Sequence, residues 1–215
     1  MKLLGGIEQT LSSSRIIIEG ALADPQLIKI TEPFGYNKKS FEKGKAKLEN
    51  TQMLFDTKDE CFREKKQATE DLNSARHALR DTYLRHAGVL RAFYRNNSKV
   101  LAQLGVNQST PVALDPFLTR TQRFYSSVQG LMVNAIGFPF MEEEVVRAQT
   151  MITSLHDARI RQFSKKGEAQ RTTQLQNEAL KDLRQWVRDF LSIAKVAFRD
   201  DPQRMEALGI VVKAS

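Results

Sequence analysis

The sequence predicts an all-α protein: an elongated helical bundle built from two duplicated helical units, with long amphipathic helices. Three observations carry that expectation. Apolar residues fall at helical spacing, with Phe41, Leu48, Phe55 and Phe62 every seven residues and Leu72, Leu79, Tyr83, Leu90 and Phe93 continuing at intervals of three, four and seven. Strand-type alternation is absent over any useful length. The chain also repeats itself. Displaced by 104 positions, Leu79 meets Leu183, Arg80 meets Arg184, Tyr94 meets Phe198, and Leu104-Gly105-Val106 meets Leu208-Gly209-Ile210.

Taken in order, the elements follow from this punctuation. "PFGY" (Pro33 to Tyr36) falls over "GFPF" (Gly137 to Phe140), and between such anchors Phe62 pairs with Phe163 only after a shift of about three residues. The copies run near 8–106 and 113–210 within a single helical domain, 1–215. Two copies make a duplication, because solenoids need three or more repeats. The pairs Asp24-Pro25, Asp115-Pro116 and Asp201-Pro202 read as helix starts, the aspartate capping free N–H groups and the proline fitting the first turn. Gly105 and Gly209 stand where a helix end takes a left-handed residue. In the second copy Val145, Ile152, Leu155 and Phe163 lead on to Leu183, Val187, Phe190, Ala194 and Phe198.

The polar middles, "REKKQATED" and "SKKGEAQRTTQ", leave two architectures open. Either each unit carries one long helix, roughly 37–95 and 141–199, or each is a hairpin turning there. A helix of that length spans about 85 Å. The lack of Gly or Pro from Lys45 to Ala87 favours the long helix.

Composition excludes several classes. With 215 residues, 41% hydrophobic and 27% charged, the chain has material for a core and is neither wholly disordered nor membrane-embedded. The longest apolar run, Gly130 to Met141, is too short for a spanning helix and carries Asn134 and Pro139. One cysteine, Cys61, makes no internal disulfide, and no signal-peptide core is present, so a cytoplasmic location is expected. The net charge of +8 favours acidic partners.

The stretches "FGYNKKSFEKGKAKLE" and "KKGEAQRTTQLQNEALKDLRQWVRDFLSIAKVAFRDDPQRMEALGIVV" resemble an uncharacterised family of bacterial all-helical proteins. The resemblance covers most of the chain. It implies a helical fold, and no activity, cofactor or site residue.

No reactive constellation emerges from the residues. His77, His86 and His156 follow Ser74, Tyr83 and Thr153 at the third position before them, so none completes a Glu-x-x-His pair, and no second cysteine exists for a zinc site. Phosphate-cradling glycine motifs are missing. Cys61, beside the Phe55–Phe62 seam, reads as a small buried filler, and Glu142 to Glu144 as acidic residues complementing a helix N-terminus. No catalytic residue, cofactor or metal is expected.

The basic residues offer a binding reading. Lys39, Lys43 and Lys47 share one helical face, and Arg76 and Arg80 form a shorter stripe, both suited to phosphate oxygens. Residues 1–107 hold 18 basic against 13 acidic side chains and the remainder 15 against 12, so the charge is spread along the chain. Trp186 lies at or beside an apolar stripe, as a core residue or an interface anchor. The most apolar segment, Phe124 to Phe140, reads as buried. The expected function is therefore non-enzymatic binding or scaffolding, with a protein partner or self-association. Nucleic-acid or anionic-surface binding, and a small-ligand pocket between helices near His86 or His156, are the alternatives.

Overall fold

In a computed structural model, residues 5–133 and 137–210 are described. They form α1 (Ile7–Ala23), α2 (Pro25–Thr31), α3 (Lys38–Phe93), α4 (Ser98–Leu104), α5 (Leu114–Met132) and α6 (Glu142–Ala197), with 3₁₀ helices at Glu32–Phe34 and Pro202–Leu208. No strand occurs among these residues. The two polar middles are continuous helix, so α3 and α6 are single elements of 56 residues each.

Local chemistry sets the ends. Asp24 accepts from the backbone N–H groups of Gln26 and Leu27 at 2.9 and 3.1 Å, and Pro25 opens α2. Asn97 caps α4 through Val100 N–H at 3.2 Å. Gly105 and Gly209 close their helices at φ 68° and 72°, a backbone state open to glycine at no steric cost. Two of the aspartate–proline expectations need correction. α5 begins at Leu114 with Ala113 as its cap, and Asp115 lies inside the first turn, where its carboxylate takes Arg159. Asp201 precedes the last 3₁₀ helix but accepts from the Arg204 side chain at 2.8 Å instead of from backbone.

The chain divides into two compact units that do not follow the sequence repeats. Unit 1 takes residues up to Arg63 and from Gly167 on; unit 2 is Glu64–Lys166. Each long helix therefore gives one half to each unit. In unit 1 the core joins Leu11, Ile17 and Ile18 of α1, Leu27 of α2, Phe41 and Leu48 of α3, and Leu183, Val187 and Phe190 of α6. In unit 2 it joins Leu79, Tyr83 and Leu90 of α3, Leu104 of α4, Phe117, Phe124 and Val128 of α5, and Val145, Ile152 and Leu155 of α6. Each such side chain contributes roughly 1.5–3 kcal/mol on burial.

The burial pattern recurs along the chain. α6 starts 104 residues after α3, and buried Phe41, Leu48, Leu79, Tyr83, Ala87 and Leu90 correspond at that interval to buried Val145, Ile152, Leu183, Val187, Leu191 and Ala194. The buried set of α1 (Thr10, Leu11, Ser14, Ile17, Ile18, Ala21) recurs 107 residues on in α5 as Phe117, Leu118, Thr121, Phe124, Tyr125 and Val128. The long helices thus correspond at 104 without the shift to 101 expected at Phe62 and Phe163, whereas α1 and α5 correspond at 107. Phe62 and Phe163, expected on the seams, are 44% and 58% exposed. Lys58 and Arg159 lie over their respective rings. Cys61 takes the buried position instead and meets Thr172 Oγ1 at 3.6 Å.

Candidate functional site

The residues singled out for binding have unlike surroundings. Lys39 and Lys43 are exposed on the first turns of α3, while Lys47 pairs with Asp182 at 3.6 Å. Arg76 and Arg80 are half-buried and donate to the carbonyls of Val112 and Pro111, the latter at 3.2 Å. They hold down the chain entering α5. Arg184, 104 residues after Arg80, does the same for the chain entering α1, donating to Gly5 O at 2.9 Å and Thr10 Oγ1 at 3.1 Å. Arg120 and Arg91 grip the carbonyls of Gly105 and Val106 at 2.8 and 2.6 Å. These five arginines thus spend their donors on backbone carbonyls at helix ends and connections.

Trp186 is half-buried in an aromatic cluster of unit 1. Its ring stands 5.9 Å from those of Tyr36, Phe41 and Phe190. Gly44 makes room for it, since a Cβ there would lie 2.6 Å from the indole. Burial, and then the Asp189 carboxylate, push the Tyr36 hydroxyl pKa above its ordinary value.

Unit 2 carries a polar counterpart at the matching end. His86, 2% exposed, meets Tyr125 Oη through Nδ1 at 3.0 Å, and its ring lies 4.5 Å from Phe140. Burial, and then the Arg85 guanidinium, hold the His86 pKa below the usual imidazole range, with Glu144 opposing. Burial raises the Tyr125 pKa. His86 Nε2 and Tyr83 Oη are buried with no partner among the described residues. His77 and His156 are exposed, and no group of three potential metal ligands gathers among the described residues. The apolar segment divides: Phe124, Tyr125 and Val128 are buried, Val133 and Met141 are 82% and 70% exposed, and residues 134–136 lie outside the described set. Among the described residues no helix is long and apolar enough to cross a membrane.

Unit 1 carries an open groove of about 690 Å³ between α1 and the first half of α3. Arg15 and Glu19 line it from α1, and Lys45, Glu49, Asp56 and Glu60 from α3, with buried Leu48 at its floor and exposed Met53 supplying apolar surface. Glu49, Met53, Asp56 and Glu60 follow one another at four, three and four residues, so a single helical face presents them. Four carboxylates thus face two cations, one of which, Lys45, is paired with Glu49 at 3.9 Å. At the corresponding positions of the second half of the chain, Ser126, Thr153, Ile160 and Ser164 replace Glu19, Glu49, Asp56 and Glu60. The face spacing of these acids was readable in the sequence. The opposing Glu19 on α1 was not, because nothing local says which side of α1 meets α3.

Chemically this groove can hold cations and apolar surface together. It has no nucleophile–base pair. Comparisons with family models, with curated proteins and with solved structures find no match to this chain.

Proposed function

We propose that this is a non-enzymatic helical binding or scaffolding protein whose unit 1 groove receives a basic, amphipathic segment of a protein partner. One observation carries the reading: on a chain of net charge +8, four carboxylates converge on a groove that also offers the exposed Met53. Complementary charge steers encounter and fixes register, and apolar surface holds the complex. A cytoplasmic setting suits a chain with a single, buried cysteine. The two halves are taken as copies of one ancestral helical unit, supported by the buried positions that recur 104 and 107 residues on. In that reading the second copy has lost the acidic groove, or the first has gained it.

The test is capture from a lysate, with and without nuclease, using the wild-type chain and the Glu49→Lys/Asp56→Lys variant. A companion that resists nuclease and is lost with the charge reversal supports the groove. One retained by the variant overturns it. Companions lost only with nuclease place binding on exposed bases such as Lys39 and Lys43.

A further inference from the structure

The carboxylates of the unit 1 groove stand at a spacing that selects one kind of chain. Glu49, Met53, Asp56 and Glu60, all exposed, form a strip along one face of α3. Arg15 and Glu19 of α1 make the opposite wall. Four acids and two bases thus line a groove that is negative on a chain of net charge +8. Lys45 reaches Glu49 at 3.9 Å, and Asp56 accepts from the Gln52 side chain at 3.2 Å. Glu19, Asp56 and Glu60 have no cation partner among the described residues. Beyond the groove the same face of α3 continues to exposed Glu42 at one end and exposed Arg63 at the other.

We propose that the partner segment received there is an α-helix whose basic side chains follow one another at four, three and four residues along one face, an inference that rests on the groove being the partner site. Spacing decides between helix and strand. Along α3, Glu49 to Asp56 is a rise of about 10.5 Å, and Asp56 to Glu60 about 6 Å. A helix lying along α3 repeats those intervals with residues seven and four apart, and such residues share a face. An extended segment advances about 3.3 Å per residue. It takes about three residues to pass from Glu49 to Asp56 and about five to reach Glu60. Both numbers are odd, so side chains meeting Asp56 or Glu60 would leave the one nearest Glu49 on the reverse face. Of the two, the helix alone serves all three carboxylates. Its spacing reads the same in both directions, so the pattern holds for either orientation. Opposite Met53, a lysine or arginine lays its methylenes on the thioether. The partner then packs as a third helix beside α1 and α3.

A labelled, alanine-based peptide with lysines at i, i+4, i+7 and i+11 tests this by fluorescence anisotropy on the full chain at low salt. Two controls keep its charge: one distributes the lysines around the helix, and the other carries a central proline. The first peptide is expected to bind and to gain helical circular dichroism, with both controls about tenfold weaker. Its affinity for the Glu49→Lys/Asp56→Lys variant is expected to fall about tenfold as well. Equal affinity for all three peptides, lost in the variant, would overturn the helical partner and leave the groove as a site for basic segments. No binding by the first peptide, or binding indifferent to the charge reversal, would overturn both.

Discussion

His86 shows how much one buried side chain can decide. At the corresponding position unit 1 has Phe190, and where unit 2 has Tyr125 it has Ile18, so an apolar pair stands in for a polar one. An unfolded histidine takes its proton at about pH 6.5, while folded His86, held lower by burial and Arg85, resists it. The folded state then binds fewer protons, so stability is unaffected above that pH and falls as pH drops below it. Denaturation midpoints measured from pH 7.5 to 5 should show this loss, and His86→Phe should flatten it. Tyr125→Phe strands a second imidazole nitrogen and should cost about 1–3 kcal/mol at neutral pH, whereas His86→Leu with Tyr125→Phe should cost less than the sum of the two single changes. Gly44 poses the opposite problem. Gly44→Ala drives a methyl into the Trp186 ring and should destabilise by about 1–3 kcal/mol, with a shift in tryptophan emission. In a Trp186→Phe background the same change should cost less, which chemical denaturation of the four variants would check.

Element by element, the helices were legible because their signals are local. Gly105, Gly209, Asp24 and the unbroken run from Lys45 to Ala87 each act within a turn or two of themselves, and each behaves as its chemistry predicts. The seam was legible only near its anchors. A strict seven-residue repeat drifts about 20° per heptad on an α-helix. By Phe62 that drift is about 60°, but buried Cys61 lies about 160° round from buried Phe41, so the buried side of α3 changes along its length and Phe62 is left outside it. The arginine stripes misdirect for a related reason: spacing shows that Arg76 and Arg80 share a face, but not that the carbonyls of Pro111 and Val112 lie along it. Gly167, within α6 and with open space around it, serves no turn. Gly167→Ala should raise stability by about 0.5–1 kcal/mol, measurable as a higher denaturation midpoint.

For the molecule as a whole, the decisive fact is that each unit takes helical segments from both halves of the chain. A fragment of residues 1–107 carries half of unit 1's long-helix core and half of unit 2's, and the remainder of the chain carries the complements. Cleavage within the connection between α4 and α5, for instance at an inserted protease site, should therefore leave two fragments that elute together. Either fragment expressed alone should show less helix than its share of the intact chain, because its apolar faces are uncovered. Dissociation into two independently folded halves would contradict the division of the core described above. The acidic groove belongs to this scale too, since Glu19 is brought to Glu49, Asp56 and Glu60 only by the packing of α1 on α3.

By itself the sequence determined the helical class, the approximate ends of the long helices and the interval at which the chain resembles itself, and it favoured the continuity of those helices without deciding it. Those properties depend on backbone sterics, capping and apolar periodicity, which act over a few residues. Only the tertiary structure decided that the units cut across the repeats, that the arginines hold connections, that His86 is buried against Tyr125, and that carboxylates from two helices share one groove. These depend on contacts between residues tens to more than a hundred positions apart. Such contacts form where apolar faces find the partner that excludes most water, and periodicity names the face without naming its partner.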